Sequence, residues 1–417
     1  MLCICSNAIG QPPNTDYFCR MLTNRQLFQS HLAKTSEFPL MVEIERAEGV
    51  WMYGPDNKKY LDLISGIAVS NLGHCHPAVV EAVRKQVGEY MHLLVYGEFI
   101  QSPQVKLAKA LADTLPEELS VVYLVNSGTE ATEGAMKLAK RYTGRSKIVS
   151  CFDAYHGSTN GSLSLMGNET FKQNYRPLLP GISHIEFGNF DHFEEYITEE
   201  TAAFFVETVR GESGVIEGSM DYWKAVRKRC TETGTLLVLD EIQAGMGRTG
   251  KFWAFEHYGI TPDILLSAKG LGGGMPIGAF ISSQEIMSSL SENPILGHIT
   301  TFGGHPVSAA AALATVNTLR ETKIYEQAEM KAQRFKDNLK GVKKIREIRS
   351  AGLMMAIEFD SFEQLKSIID KAIEYGVMTD WFLFNDRSMR VAPPLVISDD
   401  EIDWACEQLE KAINEAG

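Results

Sequence analysis

Residues 235–243 read TLLVLDEIQ and residues 264–270 read ILLSAKG. Each is a short apolar run that ends abruptly in a charged side chain, Asp240 in the first and Lys269 in the second. Runs this short suit a strand buried on both faces better than a buried helix. The pattern recurs on either side, at 121–125 (VVYLV), 147–152 (KIVSCF) and 203–206 (AFFV), with helical patterns at 129–142 and 222–233 between. Strands alternating with helices predict an α/β fold around a mostly parallel sheet.

Further out the signals are mixed. Residues 309–319 are Ala-rich and helical; 354–359 read as a strand, and 362–375 and 399–415 as helices, with Asp399 as the expected N-cap of the last. Short strands at 50–53 and 59–63 flank a turn at 54–57, and a helix is expected from Pro77 to about Tyr90. The N-terminal strands are expected to pack on the C-terminal unit.

The bulk properties narrow the function. The chain has 417 residues, 44% hydrophobic and 22% charged, an ordinary globular balance. Its formal charge of −13 disfavours nucleic acid and anionic lipid as partners. The seven cysteines, Cys3, Cys5, Cys19, Cys75, Cys151, Cys230 and Cys406, are odd in number and scattered. That predicts free thiols and a reducing cytoplasm. No apolar run reaches the roughly 18 residues of a membrane span. Residues 1–20 lack the basic start of a signal peptide; Met21 is an alternative start, in which case residues 1–20 would be an upstream extension.

Ligands of open parallel sheets sit beyond the carboxyl ends of the strands. There the sequence places Asn126-Ser127-Gly128-Thr129, Asp153-Ala154-Tyr155-His156-Gly157, Asp240-Glu241-Ile242-Gln243 and Ala268-Lys269-Gly270. Ser-Gly-Thr before a helix offers free N–H groups and a helix dipole to a phosphate, although an ordinary capped turn reads the same way. A lysine partly withdrawn from water suits Schiff-base chemistry, although most lysines after strands are exposed loop residues. A carboxylate at the end of a buried strand needs a cationic partner. Together the three describe a site for pyridoxal 5'-phosphate.

The order and spacing resemble the class III aminotransferases of the ornithine and acetylornithine type. The densest matches are residues 66–69 with 73–77, 126–131, 240–250, 269–274, 300–306 and 390–394. The resemblance implies the aspartate-aminotransferase-like fold (fold type I). Residues 71–310 would form a large cofactor domain, and 1–70 with 311–417 a smaller α+β domain. It implies Lys269 as the Schiff-base residue and proton carrier, and Asp240 as partner of the ring nitrogen. Gln243 would meet the ring hydroxyl, and Tyr155 and Ile242 the two ring faces. Ser127, Gly128, Thr129 and His156 complete the cofactor set on this chain. Thr301 would reach the phosphate in the neighbouring subunit of a homodimer. Arg390 would hold the α-carboxylate of glutamate or 2-oxoglutarate, and Glu212 would pair with it when an ω-amino group is presented. The implied reaction moves an amino group from an ornithine, acetylornithine or related diamine donor to 2-oxoglutarate. An ω-amino acid or amine:pyruvate transaminase, or an aminomutase, is the alternative.

The chain departs from the family pattern in two places. Ser158 and Thr159 follow Gly157 where an arginine usually holds the donor's far carboxylate, and Ile67 stands where ornithine aminotransferases carry tyrosine. These leave the donor open. Other signals read more simply as structure. G-x-G-x-x-G at 245–250 lies too far past its strand for a dinucleotide fold. His74-Cys75-His76 reads as a loop before Pro77 rather than a metal site. The basic residues of 331–344 read as a solvated helix face. Glu207 reads at least as well as a structural residue as a site residue.

Overall fold

The computed structural model describes residues 22–416 except 56, 96 and 192. The readings of Met21, of residues 1–20 with Cys3, Cys5 and Cys19, and of one residue of the 54–57 turn lie outside the described residues.

Seven strands form the central sheet, in the order Val121–Val125, Gly278–Ser282, Ile264–Ser267, Leu236–Asp240, Thr201–Glu207, Lys147–Cys151 and Ile182–Ile185. Only Gly278–Ser282 runs against its neighbours; the four pairings beyond it are parallel. Alternate residues of one strand feed opposite faces, as the period of two requires. Leu237 and Leu239 face one layer, with Tyr222 and Trp223. Leu236 and Val238 face the other, with Ala131, Ala135 and Leu138 of the helix Gly128–Thr143. Ser127 caps that helix by accepting from the Glu130 amide, and Gly144 ends it in the left-handed region at φ +69°.

The N-terminal strands Arg46–Glu48, Trp51–Tyr53 and Lys59–Asp62 continue into Val377–Met378, which pairs parallel with the last of them. Chain near both ends thus shares one sheet, as expected from the sequence. An antiparallel sheet of Glu347–Ala351, Met354–Glu358 and Ser388–Val391 carries Arg390. The helix Pro306–Thr322 packs against Pro77–Glu89 and Ser102–Ala112.

Three expectations are corrected. Ile182–Ile185 and Gly278–Ser282 are strands that the sequence pattern did not mark. The last helix, Asp399–Glu415, is capped by Ser398 rather than Asp399, in a reciprocal box with Glu401. Lys331 is buried, and its Nζ donates to the Leu395 carbonyl at 2.6 Å, so the basic run is not wholly solvated. Residues 245–250 form successive turns and open no helix.

Candidate active site

The parallel strands end side by side, so their last residues share one rim. Glu207 and Asp240 are in register on neighbouring strands, and Asp240 lies opposite Leu266, two residues before Ala268. A cavity of about 500 Å³ opens there. Asp240 is buried and its two oxygens are held separately. Oδ2 lies 2.8 Å from His156 Nδ1, and Oδ1 accepts from the Ile242 amide at 2.9 Å. A carboxylate has room for further donors beyond these two. Glu207 accepts from the amides of Tyr155 and Gly211, fixing two walls of the cavity. Burial pushes the Glu207 carboxyl above the usual range, against the pull of His156, with Asp240 adding to the rise.

Lys269 follows the strand Ile264–Ser267 at φ +44°, in the left-handed region. A non-glycine residue there stores on the order of 1–3 kcal/mol, so the surrounding packing must hold it. Its side chain lines the cavity. Burial lowers the basicity of the amine, Glu212 partly restores it, and Arg390 lowers it again. A depressed lysine is more available as the neutral nucleophile.

The start of the helix Gly128–Thr143 forms the opposite wall. A Cβ on Gly128 would stand 2.8 Å from Ile242 Cδ1, and one on Gly157 only 2.4 Å from Thr129 Oγ1. Only glycine leaves the backbone amides open here. Thr129 Oγ1 bonds the hydroxyls of Thr159 and Ser162. Tyr155 Oη lies 3.1 Å from Ser158 Oγ, so the wall after Gly157 presents hydroxyls.

Behind Gln243 lies a buried ion pair. Arg390 donates from both terminal nitrogens to Glu212, at 3.1 and 3.0 Å, and from Nε to Asp380 at 2.8 Å. Its guanidinium sits 4.4 Å from the centre of the Phe382 ring. Glu212 is 4% exposed and Arg390 3%. Burial pushes Glu212 up, but Arg390 outweighs it and holds the carboxyl at about 2. Burial likewise lowers Arg390, and its two carboxylates more than reverse that. Gln243 Nε2 donates to Glu212 Oε1 at 3.1 Å, linking the pair to the cavity.

The cavity wall therefore contains Ser127, Gly128, Thr129, Tyr155, His156, Glu212, Asp240, Ile242, Gln243 and Lys269 together. Arg390 stands behind it, in a smaller recess with Gln243, Ile67 and Phe382. Thr301 is not in the wall; it is exposed, beside the exposed ring of Phe302. Sequence reasoning left Glu207 undecided, quoted Asn126 and Val69 within motifs without giving them a role, and overlooked Val209 and residues 275–277, all of which also line the cavity. A buried acid in register with Asp240 could have pointed to Glu207. Nothing marked Val209 or residues 275–277, whose contribution is shape.

The donor set fits pyridoxal phosphate. Open amides at a helix start suit a phosphate, a desolvated amine suits an aldehyde, and a doubly held carboxylate suits a protonated ring nitrogen.

Comparison with known proteins agrees. The family model for class-III aminotransferases matches residues 32–413. The acetylornithine aminotransferase of Methanopyrus kandleri is 39% identical over 392 residues, 93% of this chain and 97% of that protein. The acetylornithine aminotransferase of Methanocaldococcus jannaschii is 37% identical, over 90% of this chain and 94% of that one. Among solved structures, the ornithine aminotransferase of Toxoplasma gondii, described with pyridoxal phosphate partly occupying its active site, superposes with a TM-score of 0.87. It is 30% identical and covers 93% of both chains. With that agreement of sequence, fold and site chemistry, the chain belongs to the class III aminotransferases, enzymes that transfer amino groups with pyridoxal phosphate.

Proposed function

We propose that this enzyme moves the amino group of an ω-amino donor, of the ornithine, acetylornithine or related diamine class, to 2-oxoglutarate. The observation that carries the reading is the buried Arg390–Glu212 fork behind Gln243. With the fork closed, the guanidinium is neutralised and the cavity can accept a cationic amine end. With Glu212 turned away, the same planar guanidinium is free to bind a carboxylate through two parallel bonds. One pocket then serves two substrates of different charge in the two halves of the reaction.

Pyridoxal phosphate, when bound, supplies an aldehyde for the donor amine and a ring that accepts electrons. The chain supplies the rest. Lys269 Nζ would hold the cofactor and would serve as the proton carrier at the substrate carbon. Asp240, oriented by His156, holds the proton on the ring nitrogen. Ser127, Gly128 and Thr129 would bind the phosphate, Tyr155 and Ile242 would flank the ring, and Gln243 would meet the ring hydroxyl. We place the enzyme in a reducing cytoplasm, in keeping with four free cysteines among the described residues. We also read it as a homodimer, with Thr301 serving the neighbouring site.

One feature favours a second reading. The hydroxyls of Tyr155 and Ser158 bond each other where a donor's far end would lie. Neither is a cation, so a simple amine, as in an amine:pyruvate transaminase, is the rival donor; an aminomutase is the rival reaction. Half-reactions followed by the cofactor's absorbance test the proposal. Glutamate should convert the bound aldehyde to the amine form, and Arg390→Met should abolish that conversion while sparing conversion by a diamine. If glutamate leaves the spectrum unchanged, the acceptor assignment is wrong.

A further inference from the structure

Arg248 is wholly buried, yet no carboxylate touches it. Its Nη1 donates to the carbonyls of Leu353 and Pro393, at 3.0 and 2.5 Å. Its Nη2 donates to Asn71 Oδ1 at 2.5 Å, and Nε has no hydrogen-bond partner. Burying a guanidinium with no bonded carboxylate is costly, with only Asp62 acting on it at longer range, so the three bonds it makes must offset that cost. The cation must therefore do something that packing alone would not.

Its partners show what that is. Asn71 donates through Nδ2 to the Met246 carbonyl at 2.8 Å, and its own carbonyl accepts from the Leu395 amide at 2.8 Å. The same Nδ2 would lie only 2.7 Å from a Cβ on Gly270, so Asn71 packs directly against the residue after Lys269. Pro393 and Leu395 belong to the segment that leaves the strand carrying Arg390. A second buried cation, Lys331, donates to the Leu395 carbonyl. Arg248 thus ties together the turn after Asp240, the turn at Lys269 and the segment after Arg390.

We infer that Arg248 and Asn71 form a buried clamp that fixes the distance between Lys269 and Arg390. Both are positioning residues: neither lines the main cavity. The clamp matters because a carboxylate held at Arg390 must present its carbonyl carbon near Lys269. A displacement of about 1 Å between the two can cost on the order of 10²-fold. The inference rests on the reading of Arg390 as the carboxylate grip.

The test uses the full-length holoenzyme with 2-oxoglutarate and a saturating amine donor. In Arg248→Met, the KM for 2-oxoglutarate should rise about 10–100-fold. The kcat with 2-oxoglutarate should fall as well, whereas the half-reaction with a diamine donor should stay within roughly threefold and borohydride trapping on Lys269 should be unchanged, since the strand before it still holds that turn. Arg248→Lys, which keeps a donor and the charge, should recover part of the loss. Asn71→Ala should reproduce the KM effect with only one arm of the clamp removed. In an Arg390→Met background, Arg248→Met should add little, because residues that act as one unit are not additive. An unchanged KM in folded Arg248→Met overturns the clamp, as does an equal loss of kcat and affinity for every substrate. Failure of all three single variants to fold also overturns it, leaving only a folding role. If Arg390→Met itself leaves the KM for 2-oxoglutarate intact, the grip reading fails instead, and the two failures are told apart.

Discussion

Two bonds hold the Asp240 carboxyl in a fixed orientation at the cavity wall. His156 holds one oxygen and the Ile242 amide the other. Asp240→Asn keeps the shape and removes the charge that would hold a ring proton. The expected result is a fall in kcat of about 10²–10³-fold with the cofactor still bound, the scale of losing one electrostatic partner of a transition state. Steady-state rates beside a cofactor absorbance measurement check it, and a loss below tenfold would mean that the ring nitrogen is held elsewhere. Glu212 gives a pH prediction. Arg390 holds its carboxyl at about 2, below the usual 4.5. The unfolded chain therefore takes up the proton first as pH falls. The pair's contribution, on the order of 3 kcal/mol, is present above pH 4.5 and drains away as pH falls toward 2. Urea midpoints measured across that window should show a shallower acid slope for Glu212→Gln, and identical slopes would mean that the fork is open in solution. Lys269 and Asp240 were legible in the sequence because each is the first charge after an apolar strand run. Glu207 and Arg248 were not, because their meaning depends on partners distant in the chain: Arg248 meets residue 71 on one side and residues 353 and 393 on the other.

The helix Gly128–Thr143 brings open amides to the cavity only because it lies very close to the sheet. Gly134 is the contact point: a Cβ there would stand 2.3 Å from the Phe280 ring. Gly134→Ala gains up to about 1 kcal/mol of helix propensity but must push back a buried ring, which costs roughly 1–3 kcal/mol. The expected net is a lower urea midpoint and weaker cofactor retention, as the helix start moves with the helix. A stabilised variant would show that the ring yields freely. The last helix offers a cleaner case. Ser398→Ala should cost about 1 kcal/mol, and Asp399→Ala distinctly less, because the serine makes the capping bond. Sequence reading placed the cap one residue late, since Ser398, Asp399 and Asp400 are all acceptable caps and only backbone geometry separates them. Strand reading failed for a related reason. Gly278–Ser282 opens on a glycine just after the turns of 270–274, and its partner strands are 121–125 and 264–267. Pairing at that range leaves no local trace, whereas the uniformly apolar strands 236–240 and 264–267 declare their burial on both faces.

On the scale of the whole molecule, one surface stands apart. Met91, Phe99, Ile100 and Val105 are exposed at 61, 56, 96 and 54%, and Ile295, Leu296, Ile299 and Phe302 at 74, 51, 49 and 55%. The two segments adjoin, because the His92 and Phe302 rings are 4.8 Å apart and Gln104 donates to the Gly304 carbonyl. A contiguous apolar area of this kind marks an interaction site, and a second copy is the proposed occupant. Thr301 sits in its midst, outside its own chain's cavity, where pairing would carry it toward the neighbouring site. Mixed dimers separate the two arrangements. A Lys269→Ala chain and a Thr301→Ala chain each give weak or inactive homodimers. If Thr301 acts across the interface, a mixed dimer has one site with both defects and one with none, so mixing restores a fully native site. If Thr301 acts within its own chain, every site in the mixture carries one defect and nothing is restored. Phe302→Asp puts a charge into the same surface and should halve the sedimenting mass at micromolar concentration, with loss of cofactor affinity following the loss of pairing. Recovery of native phosphate-dependent affinity in half of the mixed-dimer sites is the expected outcome. No recovery, in a preparation shown by mass to contain mixed dimers, would remove Thr301 from the partner's site while leaving the pairing itself to the Phe302 measurement.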